Sequence, residues 1–275
     1  MPKAIQSSKV TLIGFPYDAS SSFLRGAASA PSLIRQALFS PATNSWSEVQ
    51  IDVINEGILF DAGDIVTLNE TCVREQVEDQ ITQIFESGGL PLSLGGDHSL
   101  TFPILCALGQ RYSDLTLVQF DAHPDLYDEF EGDRFSHACQ FARIMEKNLV
   151  RRLVQIGIRT MNKHQQIQAD RFGIEVIDMR AWERGVRPAL GGKIYLSIDM
   201  DAFDPAFAPG VSHREAGGLT SRDVINAIQI LPGKLIGADI VEFNPTQDSN
   251  GITAHLCAKL VKELVSRMLQ NDLLG

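Results

Sequence analysis

The sequence predicts an α/β fold, a three-layer α/β/α arrangement around a mainly parallel sheet. Strand-like and helix-like segments alternate from one end of the chain to the other. Most of the strand-like segments are unbroken apolar runs, the mark of parallel strands covered by helices on both faces. Acidic and histidine motifs follow directly on three of those runs. In open parallel sheets ligands bind there, beyond the carboxyl ends of the strands.

The elements follow in order. Val10–Phe15 is β-branched and apolar and stops at Pro16, as a first strand does. A small, polar loop runs from Ser20 to Gly26. Pro31 suits the first turn of a helix reaching about Phe39. Ile51–Ile54 and Ile58–Phe60 are short strand candidates on either side of Gly57. Asn69 or Thr71 would cap a helix whose stripe of Val73, Val77, Ile81, Ile84 and Phe85 keeps helical spacing and stops at Gly88-Gly89. Leu90–Leu94 and Leu115–Phe120 are buried strands, with helical character over Leu100–Leu108 between them. A helix is expected from about His137 to Asn148. Leu153–Ile158, Ile174–Ile177, Ile194–Ile198 and Leu235–Val241 complete the strands. Thr220 and Asp223 have capping-box spacing, and a last helix begins near Gly251.

With 275 residues, 44 % of them hydrophobic, the chain can bury a large core. No repeat or linker divides it, so a single domain over residues 1–275 is expected. A formal net charge of −10 argues against a nucleic-acid or anionic-membrane surface and favours a cationic substrate. The four cysteines stand far apart, which excludes a thiolate zinc site and fits a reducing compartment. Met1–Ser8 lacks the apolar core of a signal peptide, and no run is long enough to span a bilayer. A cytoplasmic protein is expected.

The chemistry gathers in three stretches: Gly95-Gly-Asp-His98, Asp121-Ala-His-Pro-Asp125 and Ser197-Ile-Asp-Met-Asp201. In an extended chain residues two apart point the same way. Asp121, His123 and Asp125 therefore converge, as do Asp199 and Asp201, and His98 joins them from a third strand end. So many carboxylates repel one another unless cations stand between them. Four carboxylates and two imidazoles suit two divalent ions with shared ligands. An oxygen-rich set without thiolate favours manganese, while imidazole leaves zinc, cobalt and iron open.

These stretches, with Ala238-Asp-Ile-Val-Glu-Phe-Asn-Pro245, resemble the signature motifs of the ureohydrolases, the arginase and agmatinase family. The likeness runs from about Val10 to the C-terminus in motif order. Ser136-His-Ala138 and Phe141–Glu146 resemble the plant arginase branch in particular, which sits close to the agmatinases. The resemblance implies the arginase/deacetylase-like version of the fold and two Mn2+ ions. His98, Asp121, Asp125 and Asp199 would hold one ion and Asp121, His123, Asp199 and Asp201 the other. It also implies hydrolysis of a small guanidino substrate to urea and an amine. Asp125 would orient the nucleophile, His137 would shuttle a proton to the leaving amine, and Glu242 would pair with the guanidinium. Trimers or hexamers are the family's usual assemblies.

Substrate choice is less determined. Animal-type arginases place a small polar residue two past the third aspartate, followed by a Ser/Thr-rich loop; here Leu126-Tyr127 and the acidic Asp128–Asp133 loop stand instead. An acidic loop suits a far-end amine, as in agmatine. Arg134, at a place where plant-type arginases carry a basic residue, could meet a carboxylate. The expectation is an agmatinase-like enzyme, with arginase or another guanidino-acid ureohydrolase as the alternative. A one-zinc deacetylase of the same fold would leave His98, Asp201 and Glu242 spare, and a non-catalytic metal-binding subunit would be expected to lack a ligand. His213 is read as a rim residue, Cys139 as packing, Asp204 as shaping a turn, and His164 and His255 as helix residues with no partner motif.

Overall fold

Eight strands form one sheet in the computed structural model, which describes residues 10–54, 57–66 and 72–273. They are β1 (Val10–Gly14), β2 (Leu59–Asp64), β3 (Leu90–Leu94), β4 (Thr116–Phe120), β5 (Arg152–Ile158), β6 (Glu175–Asp178), β7 (Lys193–Asp199) and β8 (Lys234–Val241). Their order is β2-β1-β3-β8-β7-β4-β5-β6, and every pairing is parallel. The helices are α1 (Ala30–Leu38), α2 (Val73–Glu86), α3 (Thr101–Gly109), α4 (Gln140–Glu146), α5 (Lys163–Phe172), α6 (Met179–Glu183), α7 (Ser221–Gln229) and α8 (Ile252–Leu269).

Side-chain alternation along the strands sorts the core into two halves. Val118 and Phe120 of β4 and Ile194, Leu196 and Ile198 of β7 pack with apolar residues of α1, α6, α7 and α8. Leu117 and Tyr195, one step out of phase, pack with α2, α3, α4 and α5 on the other face. Both faces are thus dry, which is why the strands read as unbroken apolar runs.

Four expectations need correction or completion. Ile51–Ile54 is not a strand. Ser47 N–H bonds Ile51 O and Val53 N–H bonds Ser45 O, so the segment folds back on itself, and only the Trp46–Asp52 bridge is β-like. The helix expected from His137 begins at Gln140, because His137 N–H is committed to Ser20 O and Cys139 N–H closes a turn on Ser136 O. Helix α6 was not foreseen. It is a single turn capped by Asp178, whose carboxylate accepts from Ala181 N–H, and is too short to show a period. Asn69, Thr71 and the Met1–Ser8 segment lie outside the described residues. The capping box of α7 is present in both directions. All four cysteines are unpaired, and among the described residues no helix is long and apolar enough to cross a membrane.

Replacing the Thr220 cap removes a side-chain acceptor from the half-buried start of α7. Thr220→Ala is expected to cost about 1 kcal/mol in urea unfolding, and an unchanged midpoint would show that the cap contributes nothing.

Candidate metal centre

The four central strands, β3, β8, β7 and β4, end side by side, and each delivers one part of the site. After β3 the chain passes so close to Tyr17 that a Cβ on Gly96 would stand 1.7 Å from the Tyr17 carbonyl oxygen. Only glycine fits there. Asp97 then caps a short helical turn through Ser99 N–H and takes Ser20 N–H at 2.9 Å, which aims His98 inward. Asp125 and Glu242 take φ of 50° and 62°, the left-handed region that non-glycine residues rarely adopt. Strain of this kind gathers at functional sites.

Two groups of possible ligands result, and Asp121 belongs to both. His98, Asp121, Asp125 and Asp199 form the first; Asp121, His123 and Asp201 form the second. His98 Nδ1 lies 3.2 Å from Asp121 Oδ2 and 3.1 Å from both Asp125 Oδ2 and Asp199 Oδ2. His123 Nδ1 lies 2.9 Å from Asp201 Oδ2 and 3.6 Å from Asp121 Oδ1. Asp121 thus turns one oxygen to each group. Asp199 stands with the first group, and its Oδ1 accepts Asp201 N–H at 2.8 Å.

The donor set fits cations on an observation about His98. Its Nδ1 is buried and makes no hydrogen bond, although three carboxylate oxygens surround it. Its Nε2 meets Ser197 Oγ at 3.0 Å, and that hydroxyl gives its own proton to Asp239 Oδ1 at 2.6 Å. Ser197 must therefore accept from Nε2–H, which leaves the Nδ1 lone pair of a neutral ring facing the carboxylates. Tyr195 and Thr101 hydroxyls hold the other Asp239 oxygen. Such an outer carboxylate fixes a metal-binding tautomer. Without a cation only protons relieve the repulsion. Burial opposes the charged ring, yet Asp121, Asp125 and Asp199 push the His98 pKa well up, and Asp201 and Asp121 do the same to His123. Burial, then the neighbouring Asp201 and Asp121, push Asp199 well up; burial and Asp121 raise Asp125 to about 6.

His137 and Glu242 stand beside these groups. Glu242 Oε1 accepts His98 N–H and meets His137 Nδ1, both at 2.8 Å. The other nitrogen of His137 receives Ser22 N–H at 3.1 Å and lies 2.8 Å from Ser22 Oγ. The amide favours a neutral ring with its proton on Nδ1. Burial also opposes the cation, but Glu242, Asp125 and Asp97 outweigh both and raise the His137 pKa to about 9.

A cavity of about 250 Å³ opens over the site, lined among others by Ser22, His123, Asp125, His137, Asp201 and Glu242. His98 and Asp121 lie beneath it, fully buried. His213, expected at the rim, lines the cavity with its ring 5.7 Å from that of His123 and 5.5 Å from that of His137. Glu215, which sequence reasoning missed, lines it too. The acidic loop behaves differently from expectation. Asp128 is paired with Arg134 and Arg143, and Arg134 also holds Glu146, so the loop gives the cavity Phe130 rather than free charge. Asp204 shapes a turn through Ala206 and Gly217 N–H, and Cys139 is buried.

Carboxylates and imidazoles clustered at the ends of parallel strands, under a cavity, define a metal-dependent hydrolase class of α/β protein. Residues 8–266 match the Arginase family, and the chain belongs to it. It is a metal-dependent ureohydrolase. It is 41 % identical over 279 residues to Arginase 1, mitochondrial, of Arabidopsis thaliana, covering 95 % of this chain and 81 % of that protein. It is 30 % identical over 270 residues to an agmatinase of Bacillus anthracis, covering 95 % and 92 %. The structure of an arginase from Medicago truncatula superimposes with a TM-score of 0.90 at 39 % identity, over 95 % of this chain and 88 % of that one.

Two outcomes check this geometry. Ser197→Ala frees the His98 tautomer and is expected to weaken divalent-metal binding roughly 10- to 100-fold with the fold intact, as read by chelator competition; unchanged affinity removes the relay. In the metal-free protein the His137 ring should titrate near pH 9. Glu242→Gln takes away the carboxylate that most favours the cation, so the midpoint must fall. NMR titration of the two proteins decides it.

Proposed function

We propose that this chain hydrolyses arginine to ornithine and urea, using two manganese ions held by His98, Asp121, Asp125 and Asp199 on one side and Asp121, His123 and Asp201 on the other. The observation that supports it is the pairing of two ligand groups through Asp121 with the Glu242 carboxylate beside them. Bound divalent cations supply Lewis acidity and bring the pKa of water to near neutral. Glu242 accepts the forked N–H donors of the substrate guanidinium and sets its carbon over the ligands. Asp125 orients the attacking water by accepting one of its protons. As the bond from the guanidino carbon to the chain nitrogen breaks, His137 delivers a proton to that leaving amine.

The choice of arginine over agmatine reverses the order expected from the acidic loop. It rests on identity: 41 % to a plant arginase against 30 % to an agmatinase. One observation favours the second reading, agmatine. Among the described residues no lysine or arginine lines the cavity to receive a substrate carboxylate, and Arg134 is spent on Asp128 and Glu146. A trimeric or hexameric assembly belongs to the same proposal. So does a cytoplasmic setting, which four unpaired cysteines favour, whereas plant relatives carry mitochondrial names.

Urea release from arginine, agmatine, 4-guanidinobutyrate and 3-guanidinopropionate, with manganese present, tests the proposal. Arginine should give the highest kcat/KM; agmatine in that place would install the second reading. Asp199→Asn should lose metal and at least about a thousandfold of the activity while keeping the fold, and full turnover by that variant would refute the ligand assignment.

A further inference from the structure

We propose that Glu215 selects substrates that carry an ammonium group at the end remote from the guanidinium. This rests on the ureohydrolase reading and deepens it, because it names what the far end of the substrate must present. Arginine and agmatine share that feature; simple guanidino acids lack it.

The cavity has a buried floor, with Asp125, Asp199, Asp201 and Glu242, and a half-exposed side that includes Tyr127, Thr160 and Glu215. On that outer side Glu215 is the single carboxylate among the lining residues. Its side chain makes no hydrogen bond or ion pair with any described residue, while its backbone is firmly held. Arg159 donates to the Glu215 carbonyl at 3.2 Å through Nε and 2.7 Å through Nη2. The same guanidinium bonds the carbonyls of Asp201 at 2.8 Å, Phe203 at 3.3 Å, Ala202 at 3.3 Å and Gly157 at 3.1 Å. One side chain thus ties the segment carrying Glu215 to the segment carrying the Asp201 ligand. The spacing between the two carboxylates is set by the protein and not by the substrate.

Charge accounting gives the sign of the selectivity. Among the described residues no lysine or arginine lines the cavity, and the cations nearest the acidic loop, Arg134 and Arg143, are engaged with Asp128 and Glu146. A carboxylate without a partner among the described residues, on the outer side of a cavity that no described lysine or arginine lines, attracts a cation from solution. It repels a substrate whose far end is only a carboxylate. Neutral donors such as the Tyr127 hydroxyl and the Gln165 amide remain for an additional carboxylate on arginine.

The test uses the full-length, manganese-loaded protein and measures both calorimetric binding and urea release for arginine, agmatine, 4-guanidinobutyrate and 3-guanidinopropionate. The wild type should bind the two ammonium compounds roughly tenfold or more tightly than the two acids, the worth of one charge-assisted hydrogen bond. Glu215→Gln should narrow that gap to within about twofold, with the loss falling on KM, and Glu215→Lys should reverse the preference toward 4-guanidinobutyrate. Equal effects of both variants on all four compounds, or none, would overturn the assignment. Glu215-dependent ammonium preference in binding without urea from any compound would support the assignment and sink the ureohydrolase reading instead.

Discussion

Mutual repulsion among buried carboxylates is the constraint around which this structure is arranged. Asp121, Asp125, Asp199 and Asp201 are all buried, and the one uncommitted nitrogen of His98 stands among three of them. Ionised groups this close and this dry do not persist without compensation. Part of the compensation is backbone. Asp121 takes His123 N–H, Asp199 takes Asp201 N–H, Asp201 takes Ala122 N–H, and Glu242 takes His98 N–H. These amides are free because the strands have just ended and no ladder claims them. The rest must come from bound protons or from cations, and the ligand geometry sets where a cation would go.

Most of the floor of the site was legible because the chemistry is written at a two-residue spacing next to apolar runs. Within each motif the two-residue spacing picked out Asp121, His123 and Asp125, and Asp199 with Asp201, although the backbone that brings them together is not extended: β4 ends at Phe120, Asp125 is left-handed and Asp201 lies in a helical turn. His98 was grouped with them from its place just past a third apolar run, whereas Glu242 entered only through the resemblance. What stayed hidden depends on contacts between distant segments. Ser197 and Asp239 look like ordinary strand residues until β7 and β8 lie in register. Glu215 sits in a glycine-rich loop whose direction is decided by Arg159, from a strand almost sixty positions earlier. The acidic loop misled for the same reason. Its charge is visible in sequence, but the arginines that pair with Asp128 come from helix α4 and from the loop's own far side, and the remaining carboxylates face solvent. His213 belongs with these, for its place between two other imidazoles comes from folding alone.

His137 shows how a boundary decides chemistry. Read as the first residue of a helix, it would be held by helical geometry. The helix starts three residues later, and His137 instead hangs between Glu242 and the Ser22 loop, itself pinned by Asp97. Both of its nitrogens are held by side chains or loop amides that rearrange more easily than a helix does. A proton carrier needs that freedom, and a longer α4 would have removed it.

The relay from His98 through Ser197 to Asp239 has a consequence for assembly. Ser197 and Asp239 are direct partners in the parallel pairing of β7 with β8. Slide one strand by a single position and the serine turns to the opposite face, so the imidazole loses the neighbour that dictates which nitrogen is bare. A misaligned sheet would then be slow to capture its ions and would forgo the stabilisation they bring. Any stabilisation that bound ions supply would thus reach only chains whose central strands have closed in the correct alignment.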